Sequence, residues 1–207
     1  MKQIIVLLSL GLFCLQAQAD SPLTSTDFYR VYEEYDIVEE AIDAKGKITN
    51  DLMLYLSDAA YPVDVKMAVI NALGWNFNGQ NNYQRYLRFV ELRAGITHKE
   101  KGFYKEIDSD EILSLAYLKA MDNYFDVAEA KKLSSRAVAS SRRATQSYTF
   151  RLIDALIGAQ QAMEGNWCNV YQIANSVKLN PSLRWDFPTE ADDIVFDYMG
   201  LYKKDCQ

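Results

Sequence analysis

A serine or cysteine nucleophile needs a base beside it, and this chain holds one histidine, His98, for that role. His98 lies between Thr97 and Lys99 in a polar stretch, the setting of an exposed loop residue. A single histidine also removes multi-histidine metal sites. No phosphate-cradling glycine loop, paired-cysteine motif, His-Glu-x-x-His helix or Gly-x-Ser-x-Gly turn occurs in the 207 residues. Carboxylates are plentiful, and two of them facing one cleft perform acid/base chemistry in glycoside hydrolysis. The dense places are Glu39 with Glu40, Asp108 with Asp110 and Glu111, and Asp192 with Asp193. The first lies on the polar face of an expected helix and the other two at helix starts, where the helix dipole favours acids. Solvated faces and caps are therefore the expectation for all three, and the sequence names no catalytic, cofactor-binding or metal-ligating residue.

Recognition is better supplied than catalysis. Lys131, Lys132, Arg136, Arg142 and Arg143 follow one another with no acid between Lys131 and Arg143, so an acidic protein carries one basic stripe. Such a stripe suits an acidic partner patch, and the acidic first helix is its expected complement within the fold or in a dimer. A second constellation, Trp75, Phe77, Asn78, Asn81, Asn82, Tyr83 and Tyr86, offers flat apolar faces and amide donors of the kind sugar or protein surfaces use. A third, Trp185-Asp186-Phe187-Pro188, joins the last two expected helices and has the character of a structural cover. Tyrosine is common, fourteen residues against nine Phe, and Tyr35, Tyr117, Tyr124, Tyr148 and Tyr198 fall on or beside apolar stripes, which suits the rims of grooves between helices.

The chain opens with Lys2, an apolar run from Ile4 to Leu15 and the small-residue pattern Ala17-Gln18-Ala19, the form of a cleavable secretory signal over residues 1–19. Removing Lys2 with it takes the basic residues from 22 to 21 against 28 acidic, and the net charge from −6 to −7. A balance this acidic disfavours nucleic acid and anionic membrane as general partners. No later stretch approaches spanning length, so no membrane insertion of the mature chain is expected. Cys14 departs with the signal and leaves Cys168 and Cys206, an even number in an oxidising compartment, which predicts one disulfide and a periplasmic or secreted protein.

The elements that must position these residues are helical almost throughout, since apolar residues recur at three- and four-residue steps and strict alternation is absent. Residues 20–207 are expected to form one all-α domain, an irregular helical array or short α-solenoid of about eight or nine helices. The first starts after Ser25 or Thr26 and carries Phe28, Val31, Tyr35, Val38 and Ile42 on its apolar face. A short helix from about Asn50 to Leu56 follows, then one opened by Pro62 that buries Val65, Ala68, Val69, Ala72 and Leu73. Others are expected at about Tyr83–Ala94, from Glu111 to Tyr124 behind a capping box with Asp108, and at Val127–Ser140, Gln146–Glu164, Trp167–Lys178 and Thr189–Tyr202. The polar region from Ile96 to Ile107 reads as a loop.

Leu52 to Gly74, with Leu-Met-Leu-Tyr-Leu-Ser-Asp, Asp64-Val65-Lys66 and Ala72-Leu73-Gly74, resembles one HEAT-type unit of two helices. Residues 113–180 resemble tetratricopeptide pairs through Ala128-Glu129-Ala130, Ala155 with Ala159, Gly165-Asn166-Trp167 and Asn180-Pro181, although no two copies align at one fixed period. The resemblance implies a helical array that works by binding another protein, with no catalytic residues and no cofactor. The expected function is an exported, non-catalytic protein-interaction module, in one concrete form an immunity-type inhibitor of an exported toxin. The alternatives are an envelope glycan-acting enzyme using paired carboxylates, or a structural component of an envelope assembly. The candidate partner surface is Lys131, Lys132, Arg136, Arg142, Arg143, Trp75, Phe77 and Tyr83.

Overall fold

A computed structural model describes residues 20–206 and is all-α. The expected signal segment, residues 1–19, lies outside the described residues. The described residues form eleven α-helices and two 3₁₀ turns with no β-strand, and none of the helices is long and apolar enough to cross a membrane.

The first expected helix is divided. A 3₁₀ turn at Phe28–Tyr32 is followed by extended backbone at Tyr35 and then α1, Asp36–Asp43. The first piece is anchored to the next layer, where Asn71 accepts a hydrogen bond from the Tyr29 N–H at 3.0 Å and donates one to the Thr26 carbonyl at 3.2 Å. That hook serves backbone groups at the start of the turn, where helices leave them without internal partners. Phe28 and Val38 are buried while Tyr35 and Ile42 stand exposed, so the single stripe read across both pieces does not form.

Thr49 caps α2, Asn50–Ser57, by accepting from the Leu52 N–H, and Pro62 precedes α3, Val63–Leu73, as expected. The loop after α3 returns across the end of the central helix. Its Gly79 has φ +69°, and a Cβ there would meet the Asp122 carbonyl at 2.8 Å, so glycine is needed for both conformation and space. Asp122 fastens the same loop by accepting from the Gln80 and Tyr83 N–H groups. Then come α4, Asn82–Ala94, and a short α5, Phe103–Glu106, inside the region read as loop. A single turn carries too few residues to show a period, and the fully buried Phe103 is what places it.

The central helix, α6, Ser109–Asp122, begins with the expected capping box of Asp108 and Glu111 and is buried on nearly every side. It packs against α2, α3, α4, α7, Ala128–Ala139, and α9, Tyr148–Ala162. Between α7 and α9 lies α8, Arg142–Gln146, and Ser141 and Ser147 cap α8 and α9. The chain closes with α10, Trp167–Lys178, α11, Thr189–Met199, and a 3₁₀ turn at Gly200–Asp205.

The segment before α11 is a strap, as its residues suggested. Arg184 bridges Ser147 by exchanging backbone hydrogen bonds with Gln146 and Tyr148, and Asp186 accepts from the Thr149 N–H at 2.9 Å and its hydroxyl at 3.0 Å. Phe187 is buried against Phe28, with ring centroids 5.3 Å apart, and Tyr32 lies beside it. The start of the described chain is thereby packed against its end, and α11 rests on the first 3₁₀ turn. Burial pushes the Asp186 carboxyl upward, but the hydrogen bonds from Thr149, Arg184 and Ser147 outweigh it and hold the group below its usual range.

Cys168 and Cys206 are joined by a disulfide that ties the final turn to α10 across a sequence separation of 38. On the chain-entropy account a loop of that length contributes about 4 kcal/mol. Cys168→Ser together with Cys206→Ser is expected to lower the unfolding free energy by about this amount in urea titrations, without loss of helical circular dichroism at neutral pH. Asp186→Asn tests the strap. Because the folded pKa is depressed, the carboxylate adds stability at neutral pH that disappears as pH falls through the lowered value. The gap in denaturation midpoint between native chain and variant is expected to be widest near neutrality and to close toward acid.

Candidate functional site

Four residues of α7, Lys132, Ser135, Arg136 and Ala139, recur at the i, i+3, i+4, i+7 spacing that puts them on one face of a helix. That face looks across to the junction of α5 and α6, where Tyr104, Lys105, Ile107, Asp108 and Ser109 form the opposite wall, and Ser140 and Ser141 close one end. The result is an open groove of about 870 Å³.

Its chemistry is cationic and hydroxylic. Arg136 lies over the Tyr104 ring, 4.5 Å from its centroid, which fixes the guanidinium plane without using its N–H donors. Lys132 pairs with Glu129 one turn back, an exposed contact at 2.6 Å that water screens and a ligand anion can replace. Ser140 donates to Ser109 at 2.7 Å, Ser109 donates to Ser141 at 3.0 Å, and Ser141 accepts from the Ala144 N–H, so the hydroxyls at the closed end are aligned by the cap of α8. The one acid in the lining, Asp108, is engaged in the capping box.

Of the five cations of the expected stripe, the structure brings Lys132 and Arg136 to this groove, with Lys105 added from α5. Lys131 turns from the groove toward α9, where it bonds Asp154 at 2.6 Å, and it also reaches Ser135 at the groove's edge at 2.7 Å. Arg143 points inward to Asp110 and lies over the Phe150 ring. Arg142 is exposed, with no ion pair among the described residues. Within the fold the acidic first helix is not the complement of the stripe. Its acid partners are Glu129, Asp154 and Asp110, since α1 packs on α2 and α3.

The aromatic and amide loop is also divided. Tyr86 is fully buried with its hydroxyl against Ser57 at 3.0 Å, and Asn82 is a buried clamp that accepts from the Ile48 N–H and donates to the Gly46 carbonyl. Tyr83 is half-buried beneath the Lys119 ammonium, 4.4 Å from its ring centroid, and burial pushes its phenol up to about 12. Trp75 and Phe77 join Tyr124 and Phe125, from the end of α6, in a cluster of four rings. Within it Phe77 is 58% and Phe125 61% exposed. Phe125 was not singled out in the sequence, because it falls after the last helical turn of α6 and outside its period.

The carboxylates correct another expectation. Glu39, Glu40, Asp108 and Asp193 are at least partly solvated, but Asp110, Glu111 and Asp192 are almost wholly buried. Asp110 accepts from Lys66 Nζ at 3.1 Å and from Arg143, while Glu111 takes Arg93 and the Asp108 N–H. Asp192 takes the Tyr148 hydroxyl and Lys178 Nζ at 2.8 Å. The cations come from distant elements, so the acid runs alone gave no sign that they were paired. Among the described residues no group of three or more His, Cys, Asp and Glu is arranged to hold a metal ion. His98 is exposed and its imidazole Nδ1 and backbone N–H both meet Glu91, hydrogen bonds that hold the Glu91 carboxyl below its usual range.

No known protein family, curated protein or solved structure matches this chain. The helical array therefore stands on its own geometry.

The most exposing test of that geometry is the buried ion cluster. Removing one member leaves an uncompensated charge in the interior, so Asp110→Asn is expected to lower the unfolding free energy by about 3–5 kcal/mol. Lys66→Met, which removes the buried charge and keeps the stem, is expected to be the milder of the two changes in the same denaturant titration.

Proposed function

We propose that this chain is an exported, non-catalytic α-helical protein-interaction module of the periplasm or the extracellular space, and that the groove between α7 and the α5–α6 junction receives a carboxylate-rich segment of a partner protein. The observation that carries the reading is the placement of Lys105, Lys132 and Arg136 around one groove with a row of serine hydroxyls, on a chain whose net charge is −6. Charge that runs against the balance of the whole molecule is directional. It steers an acidic segment to one face while the remaining surface repels it.

The groove supplies what such a segment needs. Arg136 presents a planar fork of donors held over Tyr104, Lys132 exchanges an exposed intramolecular partner for an intermolecular one, and the Ser141 hydroxyl, which accepts from Ser109 and the Ala144 N–H, keeps its proton to donate to a carboxylate or backbone carbonyl oxygen. The non-catalytic half of the reading draws support from Asp110, Glu111 and Asp192, each neutralised by a cation rather than facing another acid across a cleft. The residues 52–74 and 113–180 that carry the helical-repeat resemblance fall on α2 with α3 and on α6 to α10, an arrangement whose usual work is binding. An immunity-type inhibitor of an exported toxin is the concrete form this proposal takes, supported by the signal-like sequence of residues 1–19, the disulfide and the acidic balance.

The test is cross-linked capture from envelope extract of the source cell, at low and high salt, with residues 20–207 and with the Lys132→Glu, Arg136→Glu variant. The expected result is one stoichiometric partner, held by the native chain at low salt and lost both at high salt and with the variant. Equal recovery by the variant, with native helical content, would overturn the assignment of the groove.

A further inference from the structure

We infer that a second site, remote in chemistry from the basic groove, binds a sugar ring at the junction of the end of α6 with the end of α9. A cavity of about 380 Å³, within the range ligand pockets occupy, is lined there by Tyr124, Phe125, Gln160, Gln161, Met163 and Glu164.

Two independent observations point to an occupant. Three buried side-chain polar atoms among the described residues have no hydrogen-bond partner: the Ser114 hydroxyl, the Tyr124 hydroxyl and the Gln160 Oε1. Two of the three belong to this one lining, although buried polar groups are nearly always satisfied and leaving one unpaired is destabilising. The Tyr124 side chain, only 4% exposed, cannot swing to find a partner, because Trp75 and Phe125 hold its ring at centroid distances of 5.1 and 4.3 Å. The second observation lies at the rim. Phe125 and Phe77 stack at 6.2 Å and 25° with more than half of each side chain in solvent, an arrangement that packing within the chain does not require.

The chemistry selects the ligand class. Gln160 Oε1 and the exposed Glu164 carboxylate are acceptors that call for hydroxyl donors, and the Tyr124 hydroxyl both gives and takes a hydrogen bond. A sugar ring carries adjacent hydroxyls that serve both roles, together with a face of C–H groups that lies flat on an aromatic ring. No lysine or arginine lines the cavity, which argues against an anion. Met163, Val127 and the ring of Phe125 give the apolar side of the pocket, and the exposed carboxylates of Asp20 and Glu164 add acceptors for sugar hydroxyls.

The test is calorimetric and NMR titration of the folded chain with maltose and with the disaccharide of N-acetylglucosamine, and with choline as the cationic alternative. One of the sugars is expected to bind one-to-one with a millimolar or tighter Kd, and Phe125→Ala and Gln160→Ala are each expected to weaken it about tenfold. Tyr124→Phe deletes only the hydroxyl. It is expected to leave the melting temperature without ligand unchanged or higher, because an unsatisfied group is removed, and to weaken sugar binding by a similar factor. Absence of binding by both sugars, binding of choline alone, or sugar binding indifferent to all three substitutions would overturn the inference. None of these outcomes depends on the basic groove, which the Lys132→Glu, Arg136→Glu variant addresses separately.

Discussion

A lysine ammonium with no exposed surface must find a carboxylate or lose its charge, and Lys66 of α3 finds Asp110. The same carboxylate takes Arg143 of α8, and the neighbouring Glu111 takes Arg93 of α4, so the first turn of α6 is where three other helices are tied down. The rest of the array follows from that knot. With the start of α6 fixed, Asp108 completes its cap, α5 is set against the same corner, and the serines that lead into α8 come to lie beside Ser109. The buried charges and the surface groove are two sides of one construction, the first holding the wall on which the second is carved.

An acidic chain comes to carry a basic groove because its charges are sorted by depth as well as by sequence. Three of its acids, Asp110, Glu111 and Asp192, are buried and answered there by cations, while one face of α7 turns Lys132 and Arg136 outward with only the exposed Glu129 beside them. Lys131, adjacent to Lys132, belongs to the next face round and pairs with Asp154 of α9, as the hundred-degree step between neighbouring helical residues requires. A run of like charge in a sequence is thus not a stripe on a surface. It becomes one only where the helical period selects from it.

The all-α class, most helix positions, the capping box at Asp108 and the Cys168–Cys206 bridge were legible because each is a local pattern or a matter of small numbers. The broken first helix was not, since its apolar spacing runs on across the break and the hook that anchors its first piece comes from Asn71, more than forty residues on. The short α5 escaped because four residues display no period. The burial of Asp110 and Asp192 was invisible for a different reason. Acids at helix starts look alike in sequence whether water or a lysine from another helix answers them, and only the fold says which. For the candidate site the basic residues were visible, but the groove also needed Tyr104, Lys105 and the serine row, which no motif joined to them. Phe77 was visible and its partner Phe125 was not, because the pair forms between two loops.

Phe187 against Phe28 brings the strap before the last helix onto the first turn of the described chain. Linear helical arrays have two free ends, gain or lose whole repeats without harm, and unfold piecemeal from those ends. An array sealed by contact between its first and last elements has lost that modularity. Its first and last elements are each held by the other, so the described chain is expected to melt as one piece rather than fray from an end.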